Sequence, residues 1–236
     1  MTVQLPNKPQ TRESLGSTPM NARVFLAGMP KAGKTTLLGS WAPKQTLIID
    51  TQHGTDLLEG EHYVSHVSDW QSVVDTVDSV LEGGHPFKCV GLDLVDDVWN
   101  FCDKAHAGKG RTLATATDDY GRAAKNAEGA FRDTIGRLLA SDYGVWFLTH
   151  TKVVEEDGVT RYLPKLDSKV QTYVQGATQF VFLAETLGKK HVLHTQPSAK
   201  FEAGSRVPLP EPMAMDAREL YMAMAAGLGN TNGKGE

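Results

Sequence analysis

The chain has 236 residues, 40% hydrophobic and 22% charged, which is enough apolar material for one good core and favours one domain. A net charge of −4 excludes a uniformly basic nucleic-acid binder but leaves room for a local basic groove. The two cysteines, Cys89 and Cys102, have no paired spacing, which excludes a disulfide framework and a zinc ribbon. No apolar run approaches the ~20 residues that span a bilayer, so a cytoplasmic protein with no membrane partner is expected.

Residues 1–21 carry Pro, Ser, Thr and Asn without periodicity and read as a flexible arm. The folded domain is expected over 22–228, and the Gly- and Asn-rich residues 229–236 as a tail. Within the domain, "RVFLAG" (23–28) reads as a buried strand followed by a helix from about Lys34 to Trp41. "TLIID" (46–50) is a second strand, and 69–84 has helical periodicity with a first-turn Asp and a Gly stop. "KCVGLD" (88–93) is a third strand, followed by a short helix, and 120–141 is a long amphipathic helix. Further strands fall at 143–150, 179–185 and 191–196, and 216–228 closes as a helix. Strands alternating with helices indicate an α/β fold with a mainly parallel central sheet covered on both faces.

The specific signal is "GMPKAGKTT" (28–36), a GxxxxGK[ST] phosphate loop set between a strand and a helix. Gly28, Met29, Pro30, Lys31, Ala32, Gly33, Lys34, Thr35 and Thr36 would cradle a nucleoside triphosphate with backbone N–H groups. Lys34 would reach the β/γ-phosphates and the Thr35 hydroxyl would ligate Mg²⁺. A magnesium site needs a carboxylate at the end of a neighbouring apolar strand, and Asp93 supplies it. Asp96 and Asp97 lie one turn further on and could hold Mg²⁺-bound water, though an exposed helix start is the plainer explanation. His62 and His66 are four apart, but "YVSHV" alternates like a strand and would separate the rings, so no zinc site is expected of that pair.

The order of these elements resembles the RecA-like P-loop NTPase core, and within it the small phage proteins of the Sak group, which are single-strand annealing ATPases. The resemblance rests on "GMPKAGKTT", "LIIDTQHGTD", "CVGLDLVDDV", "WFLTHTK" and "HTQPSAKFEAGSRVPLPEP", and covers about residues 22–226. It implies ATP and Mg²⁺ as cofactors, single-stranded DNA as partner, a homo-oligomeric ring or filament, contact with a single-strand binding protein, and the cytoplasm of a bacterial host. It further implies that His150 senses the γ-phosphate and that Arg206, or Lys200, reaches a neighbouring subunit's triphosphate. The family places a catalytic glutamate two residues beyond the second strand, where this chain has Gln52. Either Gln52 orients the attacking water and hydrolysis is slow, or Asp50 or Asp96 takes the base role. By the same resemblance DNA would lie on the loops after the third and fourth strands. These offer Lys104, Lys109 and Arg111 in 104–117, and Lys152, Arg161, Tyr162 and Lys165 in a hairpin turning at 157–158, with Tyr173 as a further stacking platform. The rival readings are a small-molecule or nucleotide kinase and a non-catalytic ATP-dependent scaffold or loader.

Overall fold

The computed structural model describes residues 18–107, 121–156 and 158–229. Strand β1 (Arg23–Gly28) leads through the phosphate loop into helix α1 (Lys34–Ser40), followed by β2 (Thr46–Asp50) and β3 (Tyr63–His66). Then come α2 (Trp70–Glu82), β4 (Cys89–Asp93), α3 (Val95–Ala107) and α4 (Arg122–Leu139). A long β5 (Gly144–Glu156) turns into β6 (Val159–Pro164), and α5 (Ser168–Gly176) leads to β7 (Phe180–Leu187) and β8 (Lys190–His194). The short strands β9 (Gly204–Ser205) and β10 (Met213–Ala214) precede the closing helix α6 (Ala217–Gly229).

The sheet runs in the order β10-β8-β7-β1-β5-β4-β2-β3. From β7 to β3 all neighbours are parallel, while β8 and β10 continue the sheet antiparallel. Strands β1, β2, β4 and the first part of β5 are buried on both faces, which explains their near-continuous apolar runs. Alternate residues divide into two cores. Phe25, Ile49, Leu92 and Phe147 face Val73, Val98, Phe131 and Val170 of α2 to α5. Val24, Ile48, Trp146 and Phe182 face Leu37 and Leu38 of α1 and Leu220 and Met224 of α6. The expected α/β class, with a mainly parallel sheet and helices on both faces, is what the chain forms.

Local chemistry sets the boundaries. Asp69 caps α2 by accepting from the Ser72 N–H at 2.8 Å, and Gly83 ends it in a conformation open to glycine (φ 80°). Gly91 is required by packing: a Cβ there would come within 2.3 Å of Leu38, so α1 lies directly on the sheet.

Three boundaries differ from the sequence reading. Pro19–Asn21 forms a 3₁₀ turn with Pro19 buried, so the ordered chain starts before residue 22; residues 1–17 and 230–236 lie outside the described residues. The helix after β4 is not short but continues to Ala107, because Val95, Val98, Cys102 and Ala107 keep presenting an apolar face to the core. β5 runs six residues past His150 because antiparallel pairing with β6 satisfies its backbone.

Candidate nucleotide-binding site

Parallel strands bring their carboxyl ends to one edge, and register aligns the residues there. Gly28 pairs with His150, Asp50 with Asp93, and Asp50 again with His66. Ligands of open α/β sheets bind at such an edge. A cavity of about 410 Å³ opens there, lined by Pro30, Lys31, Gly33, Lys34, Thr35, Thr36, Asp50, Gln52, Gly54, Asp93, Leu94, His150 and His191.

The loop's backbone is shaped for it. Lys31 (φ 64°) and Gly33 (φ 90°) take left-handed conformations, and the Ala32 N–H closes a tight turn on Met29 O at 3.2 Å. The first-turn N–H groups beyond Gly33 have no helical acceptor and face the cavity edge. Met29, Pro30 and Lys31 are exposed, whereas Gly28, Ala32 and Lys34 are buried. Lys34 Nζ donates to Gly28 O at 2.9 Å and Met29 O at 3.0 Å, curling the loop around its own ammonium. Burial lowers that ammonium to about 8, with Asp93 and Asp96 opposing the fall.

Thr35 Oγ1 donates to Asp93 Oδ2 at 2.6 Å, so the two expected magnesium ligands touch. Burial pushes the Asp93 carboxyl up to about 6, against the pull of the Thr35 hydrogen bond. A carboxylate in this state gains by meeting a cation, and the hydroxyl–carboxylate pair beside a basic loop fits a magnesium–triphosphate.

The base candidates separate clearly. Asp50 is 1% exposed and accepts from the N–H groups of Gln52, Gly54 and Thr55 and from the Thr55 hydroxyl. Burial pushes its carboxyl up, but these hydrogen bonds outweigh it and hold it below the usual carboxylate range. Asp50 therefore shapes the turn, and its oxygens are spent. Gln52 is exposed at the cavity wall, its amide donating to Asp97 Oδ2 at 2.6 Å, which Thr51 Oγ1 also reaches at 2.9 Å. Asp96 is buried, with Oδ1 lacking any hydrogen-bond partner and Oδ2 3.7 Å from His150 Nδ1. Burial lifts the Asp96 carboxyl to about 6. Burial, with Lys34 and Lys165 adding to it, lowers His150 to about 4, so its ring is neutral at physiological pH.

A second cavity of about 340 Å³ continues from the first across Gly33, Thr36 and His191, and adds Leu37, Ser40, Met215, Asp216, Ala217 and Arg218. Nothing in the sequence marked His191, Met215 or Arg218. They reach the loop only because β8 and β10 pair antiparallel at the sheet edge and α6 packs on α1.

The remaining predicted residues lie elsewhere. Arg206 follows β9, with its N–H on Gln179 O at 3.1 Å, beside the start of β1 and so at the opposite edge of the sheet from the cavity. It cannot serve this chain's own triphosphate. Lys200 is exposed in the turn 198–201, whose carbonyl accepts from the Tyr162 N–H. Lys104 is exposed in the last turn of α3, not in a loop, while Lys109 and Arg111 lie outside the described residues. Strand pairing puts Lys152 and Arg161 on one face of the β5–β6 hairpin, where Arg161 meets Glu156 at 3.4 Å. Tyr162 points to the other face, with its hydroxyl on Glu185 Oε1 at 3.4 Å. Tyr173 is not a free platform either: Arg132 sits 4.7 Å over its ring and its hydroxyl donates to Arg132 O.

Among curated proteins none matches the chain. The AAA domain family matches residues 20–207, from the turn before β1 to just beyond β9, and so takes in the phosphate loop, Asp93 and His150. The chain therefore belongs to the AAA domain family of P-loop ATPases.

Proposed function

We propose that this ATPase binds ATP–Mg²⁺ in the β1–α1 cleft and uses the bound state to control a single-stranded DNA contact, as a recombination or annealing protein resembling the phage Sak group. The observation that carries the reading is the continuity of β5. One strand holds His150 in the triphosphate cavity and Lys152 on the hairpin beyond it, and the Lys165 N–H closes the hairpin base on His150 O at 2.7 Å. A shift of His150 toward or away from a γ-phosphate would move the hairpin face that carries Lys152 and Arg161.

Within the cleft, Lys34 exchanges the loop carbonyls for phosphate oxygens, and Thr35 and Asp93 would hold Mg²⁺, which when bound draws charge from the phosphoryl oxygens. Gln52, which lines the cavity, orients the attacking water, and Asp96, buried behind His150 at 3.7 Å and outside the cavity lining, is the base candidate that keeps an unpartnered oxygen. The second cavity would take the base and sugar, with Met215 and His191 as the apolar and aromatic surfaces. An amide in the water-positioning place makes slow turnover the expected regime.

The test is fluorescence anisotropy with a labelled single strand and its duplex, without nucleotide, with ATP–Mg²⁺ and with a non-hydrolysable analogue. Preferential single-strand binding, tightened by either triphosphate and weakened by Lys152→Ala with Arg161→Ala, is expected. Intact nucleotide binding with no DNA binding under any condition would overturn the DNA reading and favour a protein-loading scaffold.

A further inference from the structure

The turn after β2 and the end of β3 bring together three side chains, His53, Asp56 and His66, that no part of the triphosphate chemistry uses. Asp50 gathers the Gln52, Gly54 and Thr55 N–H groups, and to make that turn His53 takes a left-handed conformation (φ 58°), unusual for a residue with a Cβ. The parallel register of β2 and β3 places His66 beside Asp50, so the His53 and His66 rings stack with centroids 4.3 Å apart and planes 23° from parallel. Asp56, from the 3₁₀ turn Gly54–Leu57, reaches both: Oδ2 lies 3.8 Å from His53 Nδ1 and Oδ1 lies 3.8 Å from His66 Nε2. One ligand atom from each residue lies within 4.8 Å of the others.

These contacts are too long for hydrogen bonds; the three side chains meet through ring stacking and, when a histidine is protonated, through ion pairs with Asp56. The other side of His66 adds a second feature: Nδ1 lies 3.7 Å from Oδ2 of the buried Asp50 carboxylate. That nitrogen is near the negative charge without being hydrogen-bonded to it, and Nε2 is left facing Asp56 across the gap.

We propose that His53, Asp56 and His66 bind a first-row transition-metal cation of the Zn²⁺ class, with at least one coordination position left to water. Two imidazoles and a carboxylate suit Zn²⁺, Co²⁺ or Ni²⁺, whereas Mg²⁺ and Ca²⁺ select oxygen donors. A tetrahedral ion with bonds of ~2.0–2.1 Å sets its ligand atoms about 3.3 Å apart, so binding requires the two stacked rings to turn out of their near-parallel arrangement until both nitrogens converge with one Asp56 oxygen. His62 does not belong to the group of converging ligand atoms. The site is distinct from the Thr35–Asp93 pair and does not depend on the DNA reading. Because Gln52 and Gly54 flank His53 and line the triphosphate cavity, a metal here would stiffen that wall.

The experiment uses tag-free, chelator-stripped full-length protein in excess Mg²⁺ without nucleotide. Zn²⁺ binding is followed by calorimetry and Co²⁺ binding by its visible ligand-field absorption. One equivalent is expected, with affinity falling at least about 10-fold in Asp56→Asn and further in His53→Ala with His66→Ala. His62→Ala should bind as the parent does, and circular dichroism checks that each variant folds. If the double variant fails to fold, Asp56→Asn and His66→Gln decide. Parent affinity no greater than that of the site variants, or an equal loss in His62→Ala, overturns the proposal.

Discussion

At the scale of single residues, two buried charges define what the cleft can do. Lys34 has no carboxylate in hydrogen-bond contact; it is held by two loop carbonyls, and burial has already weakened its ammonium. A triphosphate supplies the missing negative charge. Lys34→Ala should lose a charge-assisted contact worth ~1.5–3 kcal/mol, read as a 10- to 100-fold weaker ATP affinity in a nucleotide titration. Asp96 carries the opposite burden. Its folded carboxyl sits near 6 against an ordinary 3.8, so the ionised form destabilises the fold above about pH 6, and the cost vanishes below about pH 4. Asp96→Asn should therefore unfold in urea up to ~3 kcal/mol later at pH 8, with the gain shrinking to nothing near pH 4. ATP turnover should be lost in the same variant while ATP binding survives. A stability gain over the parent that is no larger at pH 8 than at pH 4 would remove the buried-charge argument, and a variant that still hydrolyses ATP would hand the base role to another group. His150, neutral over the whole range from pH 5 to 8, should leave no inflection there in a rate profile.

Among elements, the contact of α1 with the sheet decides how well the phosphate loop is held. Gly91 lets Leu38 sit where a side chain would collide, and Leu38 anchors the helix that begins at Lys34. Gly91→Ala should cost ~1–3 kcal/mol by overpacking, and part of that cost should disappear when Leu38→Ala is added. Equal and additive losses in denaturant unfolding would mean that the two sites do not share this contact. The same scale shows what local pattern can reveal. Strands β1, β2 and β4 and helices α2 and α4 were legible within two or three residues, because each carries its own period and its own stops. β9 and β10, two residues each, carry no such signal. α3 outran its expected length because its apolar face continues through Cys102 to Ala107, although "KAHAGKGRTLATAT" (104–117) reads by composition as a basic loop. That is why Lys104 was read as part of a loop.

For the whole molecule, the position of Arg206 separates two kinds of assembly. It lies at the opposite sheet edge from the cleft of its own chain, so any role on a triphosphate needs a second copy. If that role exists, Arg206→Ala and Lys34→Ala should each fail to hydrolyse ATP. An equal mixture should recover activity, since about a quarter of neighbour contacts in random assembly join an intact cleft to an intact arginine. Full activity of Arg206→Ala alone would make it a surface cation.

What the sequence by itself determined is whatever depends on neighbours along the chain. The phosphate loop, Asp93 at the end of an apolar strand and the alternation of strand and helix are all set by short-range spacing, and all could be read without coordinates. What only the tertiary structure decided is which of several similar groups are already engaged by neighbours. Asp50, Asp96 and Asp97 look alike in sequence, yet the first is consumed by its turn, the last holds Gln52 and Thr51, and Asp96 alone keeps a buried oxygen unpartnered. His53 and His66 stand thirteen positions apart, and only the β2–β3 register stacks them beside Asp56. Parallel pairing fixes such meetings through contacts remote in sequence, and no local period records them.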